Sequence, residues 1–149
     1  MKVKLIMTAL AIACLAIAAC GGTASTSTPA AAAAGNPCQV LSAWKSGGGT
    51  TGLNAITSDL TKIEAAAEAQ SLTALASAGQ ALDNDAQNAT LDLPPIDALD
   101  YTNAMADFQT AGTDFATGIQ SSAAEGEAPL STGTQEIKNF SGSVKATCN

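Results

Sequence analysis

The stretch TGLNAITSDLTKIEAAAEAQSLTALASAGQALDNDA, residues 51–86, decides the fold class. Its large apolar residues fall at Leu53, Ile56, Leu60 and Ile63, followed by Ala67, in steps of three and four. That spacing holds them on one side of a helix. Leu72, Leu75, Gly79, Leu82 and Ala86 repeat the rhythm, rotated by about 100° at 3.6 residues per turn. The offset predicts a tight turn near Glu68–Ser71, with Ser71 capping the second segment. One bent helix over the same residues is the alternative.

The same logic extends outward. Asn36-Pro37 reads as a helix start, with asparagine capping and proline in the first turn. A short helix carrying Cys38, Leu41 and Trp44 follows and ends at Gly47-Gly48-Gly49, after which Thr50 or Thr51 caps the first long helix. Leu93-Pro94-Pro95 closes the middle region, because proline cannot continue a helix interior. A further helix is expected from about Pro95 to Ser122, on the stripe Tyr101, Met105, Phe108, Gly112, Phe115, Ile119. Glu125-Gly126-Glu127-Ala128-Pro129 reads as the next break. A last helix then carries Leu130, Ile137, Phe140 and Val144 to Cys148. No segment alternates like a strand. The expectation for residues 36–149 is an all-α, antiparallel up-down bundle of four main helices plus a short N-terminal one.

An internal echo points to close packing. Leu75-x-x-Ala78-Gly79-x-x-Leu82 matches Phe108-x-x-Ala111-Gly112-x-x-Phe115. Glycine costs a helix interior about 1 kcal/mol, so two such notches imply backbones in close approach, with chance in an Ala/Gly-rich chain as the alternative. Large apolar residues are sparse and alanines many, so the core is thin and contributes little burial per residue.

The N-terminus carries an address. Lys2 and Lys4 precede an apolar run from Leu5 to Ala19, broken only by Thr8. Its fifteen residues fall short of the ~20 needed to span a bilayer. Charge, short apolar run and small-residue exit read as a secretory signal over residues 1–19. Ile17-Ala18-Ala19-Cys20-Gly21-Gly22 resembles the lipobox of bacterial lipoproteins, although the preferred leucine is Ile17 here. The resemblance implies cleavage before Cys20 and a thioether-linked diacylglycerol on it. That would hold the chain on the outer face of the cytoplasmic membrane. Cys14, after Ala11-Ile12-Ala13, is a poorer rival site, and plain secretion with Cys20 unmodified is the competing reading. Residues 20–35 form the lipidated cysteine and its tether: Gly21–Gly35 holds Thr, Ser, Ala, Gly and one Pro, too little apolar bulk to fold.

With Cys14 removed and Cys20 lipidated, Cys38 and Cys148 remain to pair, as an oxidising exported compartment permits. The bridge would close a loop of about 110 residues and stabilise by ~4–5 kcal/mol on the chain-entropy model.

Removal of the leader leaves four lysines against thirteen acids, a side-chain charge of −9, with no Arg or His anywhere. That excludes a binder of nucleic acid or of an anionic membrane surface, which needs a basic face. Without His there is no Ser-His-Asp or Cys-His centre and no histidine metal site, and no phosphate-loop or GxSxG motif occurs. No catalytic residue, metal site or cofactor is assigned. Asp83-Asn84-Asp85 fails as an EF-hand: its sixth position is Asn88 and its twelfth Pro94. Asp100-Tyr101, Asp107-Phe108 and Asp114-Phe115 repeat every seven residues. They suggest either a groove lined by Tyr101, Met105 and Phe108 with an acidic lip, or an ordinary amphipathic helix with a solvated edge.

The Ala-Gly notch, the Pro94-Pro95 break and Tyr101-x-x-Ala104-Met105 give residues 36–149 some similarity to small Ala/Thr-rich helical lipoproteins of actinobacteria. That resemblance implies a fold and an address, and no activity. The expected function is a non-catalytic envelope lipoprotein, joined to the membrane through Cys20 and acting on an unidentified envelope protein. The alternative is a carrier or sensor of a small amphipathic or cationic ligand held between helices.

Overall fold

The computed structural model describes residues 36–148; the leader, Cys20 and the tether lie outside the described residues. Helix α1 (Pro37–Trp44) begins where the Asn36 side chain accepts from the Cys38 amide. A π-turn, Lys45–Gly49, joins it to α2 (Thr50–Glu68). α3 (Leu72–Ala89), α4 (Ala98–Ala116) and α5 (Gln120–Cys148) complete an all-helical domain.

Two helices, not one bent helix, occupy residues 50–89. Ala69 caps α2, Gln70 takes a left-handed conformation at φ 52°, and Ser71 N–H returns to the Ala66 carbonyl at 3.0 Å while Gln70 N–H bonds Ala67. This pair of bonds is a Schellman ending. The Ser71 side chain then accepts from the Ala74 amide and starts α3.

Several boundaries depart from expectation. Neither Thr50 nor Thr51 caps α2: Gly49 holds that position with no side-chain cap, and the chain bends through Gly48 at φ 107° without leaving helical hydrogen bonding. α4 starts at Ala98 and stops at Ala116, short of Ser122. Gly118 takes φ 65° there and bonds Phe115 O, the left-handed ending that glycine permits without a Cβ clash. Ile119 continued the spacing by coincidence and is 57% exposed.

The anticipated break at Glu125–Pro129 lies inside α5. Pro129 removes one backbone bond and crowds the carbonyl four residues back. Packing on α4 on both sides of it holds the helix: Gly126 meets Phe115 and Ala111, while Gly133 meets Phe108 and Ala104.

Each helix packs on its sequence neighbour, and the close approaches run in opposite senses. Gly52 of α2 meets Ala89 at the end of α3; Gly79 meets Phe115 and Ala116 of α4, while Gly112 meets Asp83. Along α5, Gly126 then Gly133 meet Phe115 then Phe108 of α4. The core centres on α4, whose Tyr101, Met105, Phe108 and Phe115 are buried with Leu82, Phe140, Ile56 and Leu60.

Candidate functional site

One end of the domain gathers more chemistry than the rest. Cys38 of α1 is bridged to Cys148 of α5, with Cα atoms 5.3 Å apart. Trp44 Nε1 donates to the Asp92 carbonyl at 3.0 Å, fastening the π-turn to the α3–α4 loop. Tyr101 Oη donates to the Ala89 carbonyl at 3.3 Å. Its ring meets Trp44 edge-on at 6.1 Å between centroids and Phe140 at 5.4 Å. Edge-to-face contact of this kind adds about 0.5–1.5 kcal/mol beyond burial. Gly49 makes the stack possible, because a Cβ there would fall within the Trp44 indole. The pole of the disulfide is thus also the pole of the α3–α4 loop and of Asn36, where the chain enters the domain.

Tyr101, Met105 and Phe108 all lie in this core, fully buried. The structure brings them together as packing residues; Met105 and Phe108 line neither of the two clefts described below, while Tyr101 also forms part of the wall of one. Asp100, Asp107 and Asp114 are half-buried along the edge of α4. Burial, then the nearby Asp92 charge, pushes the Tyr101 hydroxyl up to about 12.

Two open clefts flank α2 and α3. One, of about 450 Å³, is floored by Ala65, Ala66, Ala74 and Ala78 with Lys62 at its edge. The other, of about 280 Å³, lies between the glycine turn and α3, with Asp85, Asn88, Asp92 and Tyr101 in its wall.

Two carboxyl pairs escaped sequence reasoning. Asp59 lies on the apolar stripe of α2 and is 1% exposed. Its Oδ1 pairs with Lys62, while Oδ2 is sealed from solvent without a hydrogen-bond partner. Asp85 of α3 faces it: burial first, then hydrogen bonding and repulsion from Asp59, holds the Asp85 proton above the usual carboxylate range, against Lys62. Glu136 of α5 is raised likewise, by burial first and then by Asp107 and Asp100 of α4, and its Oε2 is also sealed without a partner. A proton held on Asp85 would supply the donor that Asp59 Oδ2 lacks, and one held on Glu136 would make its sealed carboxyl a donor. An acid three residues after Ile56 and four before Ile63 was the available sequence signal for Asp59.

Asp83 accepts from Gln87 Nε2 within α3. Among the described residues no three potential metal ligands converge. No helix among them is long and apolar enough to cross a membrane.

Apolar side chains also cover the outside of the disulfide pole. Leu91 is 83% exposed, Leu99 71%, Leu93 48% and Val40 of α1 44%. Comparisons with protein-family models, with curated proteins and with solved structures found no match.

Proposed function

We propose that this chain is an exported, lipid-anchored protein whose helical domain is a non-catalytic interaction module of the cell envelope. The observation that carries the reading is the Cys38–Cys148 bridge. It ties the first helix of the domain to its last residues, and such bridges persist in oxidising compartments outside the cytoplasm. The lipobox resemblance at Cys20 names the same side of the membrane independently. The filled core around Tyr101, Met105 and Phe108 favours a surface that binds over a chamber that holds.

Intact-mass spectrometry of protein purified from its own membranes tests the address. The expected species lacks residues 1–19, carries a diacylglycerol on Cys20 and has no free thiol at Cys38 or Cys148. A retained leader, or bare Cys20 beside two free thiols, would overturn it. Native mass spectrometry of the same preparation tests the role: a co-purifying envelope protein supports the interaction module.

A second reading, a carrier or sensor of a small cationic ligand, has one specific observation in its favour. The cleft of about 280 Å³ places the Asp85 and Asp92 residues beside Tyr101. A small amine retained in the native spectrum, and lost from an Asp85→Asn variant, would select it.

A further inference from the structure

We propose that the apolar rim of the disulfide pole, formed by Val40, Leu91, Leu93 and Leu99, seats on the surface of the bilayer that anchors the chain. The inference rests on the lipid-anchor reading above and specifies which face of the domain meets the membrane. Six large apolar side chains are exposed in the described domain, and four of them belong to α1, the α3–α4 loop and the first turn of α4, the elements that meet at this pole. The three in the segment from Leu91 to Leu99 include the two most exposed. That segment is held at the pole by the Trp44–Asp92 and Tyr101–Ala89 hydrogen bonds. Leu72 and Ile119, the other two, belong to the opposite end, at the start of α3 and in the α4–α5 turn.

The chain outside the described residues decides the occupant. Gly21–Gly35 is fifteen residues long and joins the domain at Asn36, beside Cys38 and Cys148. Fifteen residues can reach at most about 50 Å. Anchored at Cys20, that length brings this pole, where the chain joins the domain, to the lipid more readily than the opposite end, which lies a helix length of about 27 Å farther away. A few leucines that would not bind vesicles alone then suffice to orient the domain. The loop also carries Asp92 and Asp97, with Asp100 at the start of α4, against Lys45 and Lys145 near the same pole. That balance suits a zwitterionic surface and opposes an anionic one.

The test uses the full lipidated chain, reconstituted into phosphatidylcholine vesicles with bromine-labelled acyl chains. Tryptophan is introduced singly by Leu91→Trp or by Leu72→Trp, both at exposed positions, with the Trp44 emission of the parent subtracted. Residue 91 is expected to lose about half of its emission or more, and residue 72 almost none, because interfacial groups settle ~5–10 Å into the headgroup–acyl boundary. Adding phosphatidylglycerol should reduce the quenching at 91. Combining Leu93→Ser and Leu99→Ser with Leu91→Trp should abolish it while the protein stays lipidated and helical. A lipidated chain in which residue 91 is quenched no more than residue 72 overturns this inference and leaves the anchor standing. Shielding of residue 91 in native membranes without quenching in vesicles assigns the rim to a protein and overturns it too. An intact mass without lipid on Cys20 removes the anchor reading and the inference together.

Discussion

The α3–α4 seam and the α2–α3 seam use opposite means to hold one helix against the next. In the first, the two Ala-Gly notches lock into each other. A Cβ on Gly112 would lie 2.7 Å from both the Gly79 carbonyl oxygen and the Asp83 nitrogen, and one on Gly79 would lie 2.8 Å from the Gly112 oxygen. Backbone touches backbone, Leu82 and Phe108 fill the flanks, and little can shift. The second seam meets at Gly52 and Ala89 but carries an ionic buried element, Asp59 with Lys62 and Asp85, and open clefts on its surface. A dry notch gives geometry that pH does not change. A buried carboxyl pair gives an interface whose strength depends on its proton. The α4–α5 seam mixes the two, with Gly126 and Gly133 in contact and Glu136 beside Asp107.

The largest expected effect comes from outside both seams. Replacing Cys38 and Cys148 together by serine should cost about 4 kcal/mol in denaturant unfolding. Amide exchange in that variant should stay slow along Gly79–Leu82 and Phe108–Phe115 while α1 and the end of α5 open. Uniform loosening would mean that the notch seam is no firmer than its neighbour. Next comes Gly112→Ala, expected to cost about 3 kcal/mol because neither backbone neighbour can yield. A loss below that of an ordinary surface change would show that the helices slide apart freely.

The wet seams should respond to pH instead. Asp85 and Glu136 keep their protons to higher pH folded than unfolded. Their contribution is therefore complete below the unfolded carboxylate range near ~4 and fades as pH rises through the raised folded values. The melting temperature should rise as pH is lowered from neutrality through the raised folded values toward ~4, and Asp85→Asn with Glu136→Gln should flatten that slope. At the alkaline end, Tyr101 holds its proton to about 12 folded, against ~10 unfolded. Stability should fall as pH climbs through that interval, and Tyr101→Phe should remove this part of the fall while losing the bond to Ala89, a change of about 1 kcal/mol at neutral pH.

The smallest effect is a contrast between glycines. A Cβ on Gly142 meets nothing within 4 Å, so Gly142→Ala should stabilise by about 0.5–1 kcal/mol. A destabilising result would show that propensity does not set the outcome even on the open face of α5.

Apolar periodicity alone made α2, α3 and most of α4 legible, because three-four spacing admits one secondary structure and Ser71 and Pro94-Pro95 mark its ends. The repeated notch was readable as packing, and the expected loss of Cys14 and lipidation of Cys20 left Cys38 and Cys148 as one pairing. The α5 boundary was not legible. Pro129 argues locally for a break, and only contact with Phe115 and Phe108 on α4 offsets its cost. The stripe through Tyr101, Met105 and Phe108 left a groove and an ordinary amphipathic helix both open, because periodicity says which face is apolar and not whether a neighbour covers it. α5 and the Trp44 turn cover it here. Likewise Asp59 and Asp85 lie 26 positions apart, and no local signal announces that their carboxyls meet. Local backbone preference and side-chain spacing are written in one dimension. Which surfaces are sealed, which carboxyls are brought close to one another and which leucines stay exposed are set by helices distant in sequence meeting at Gly79, Gly112 and the Cys38–Cys148 bridge.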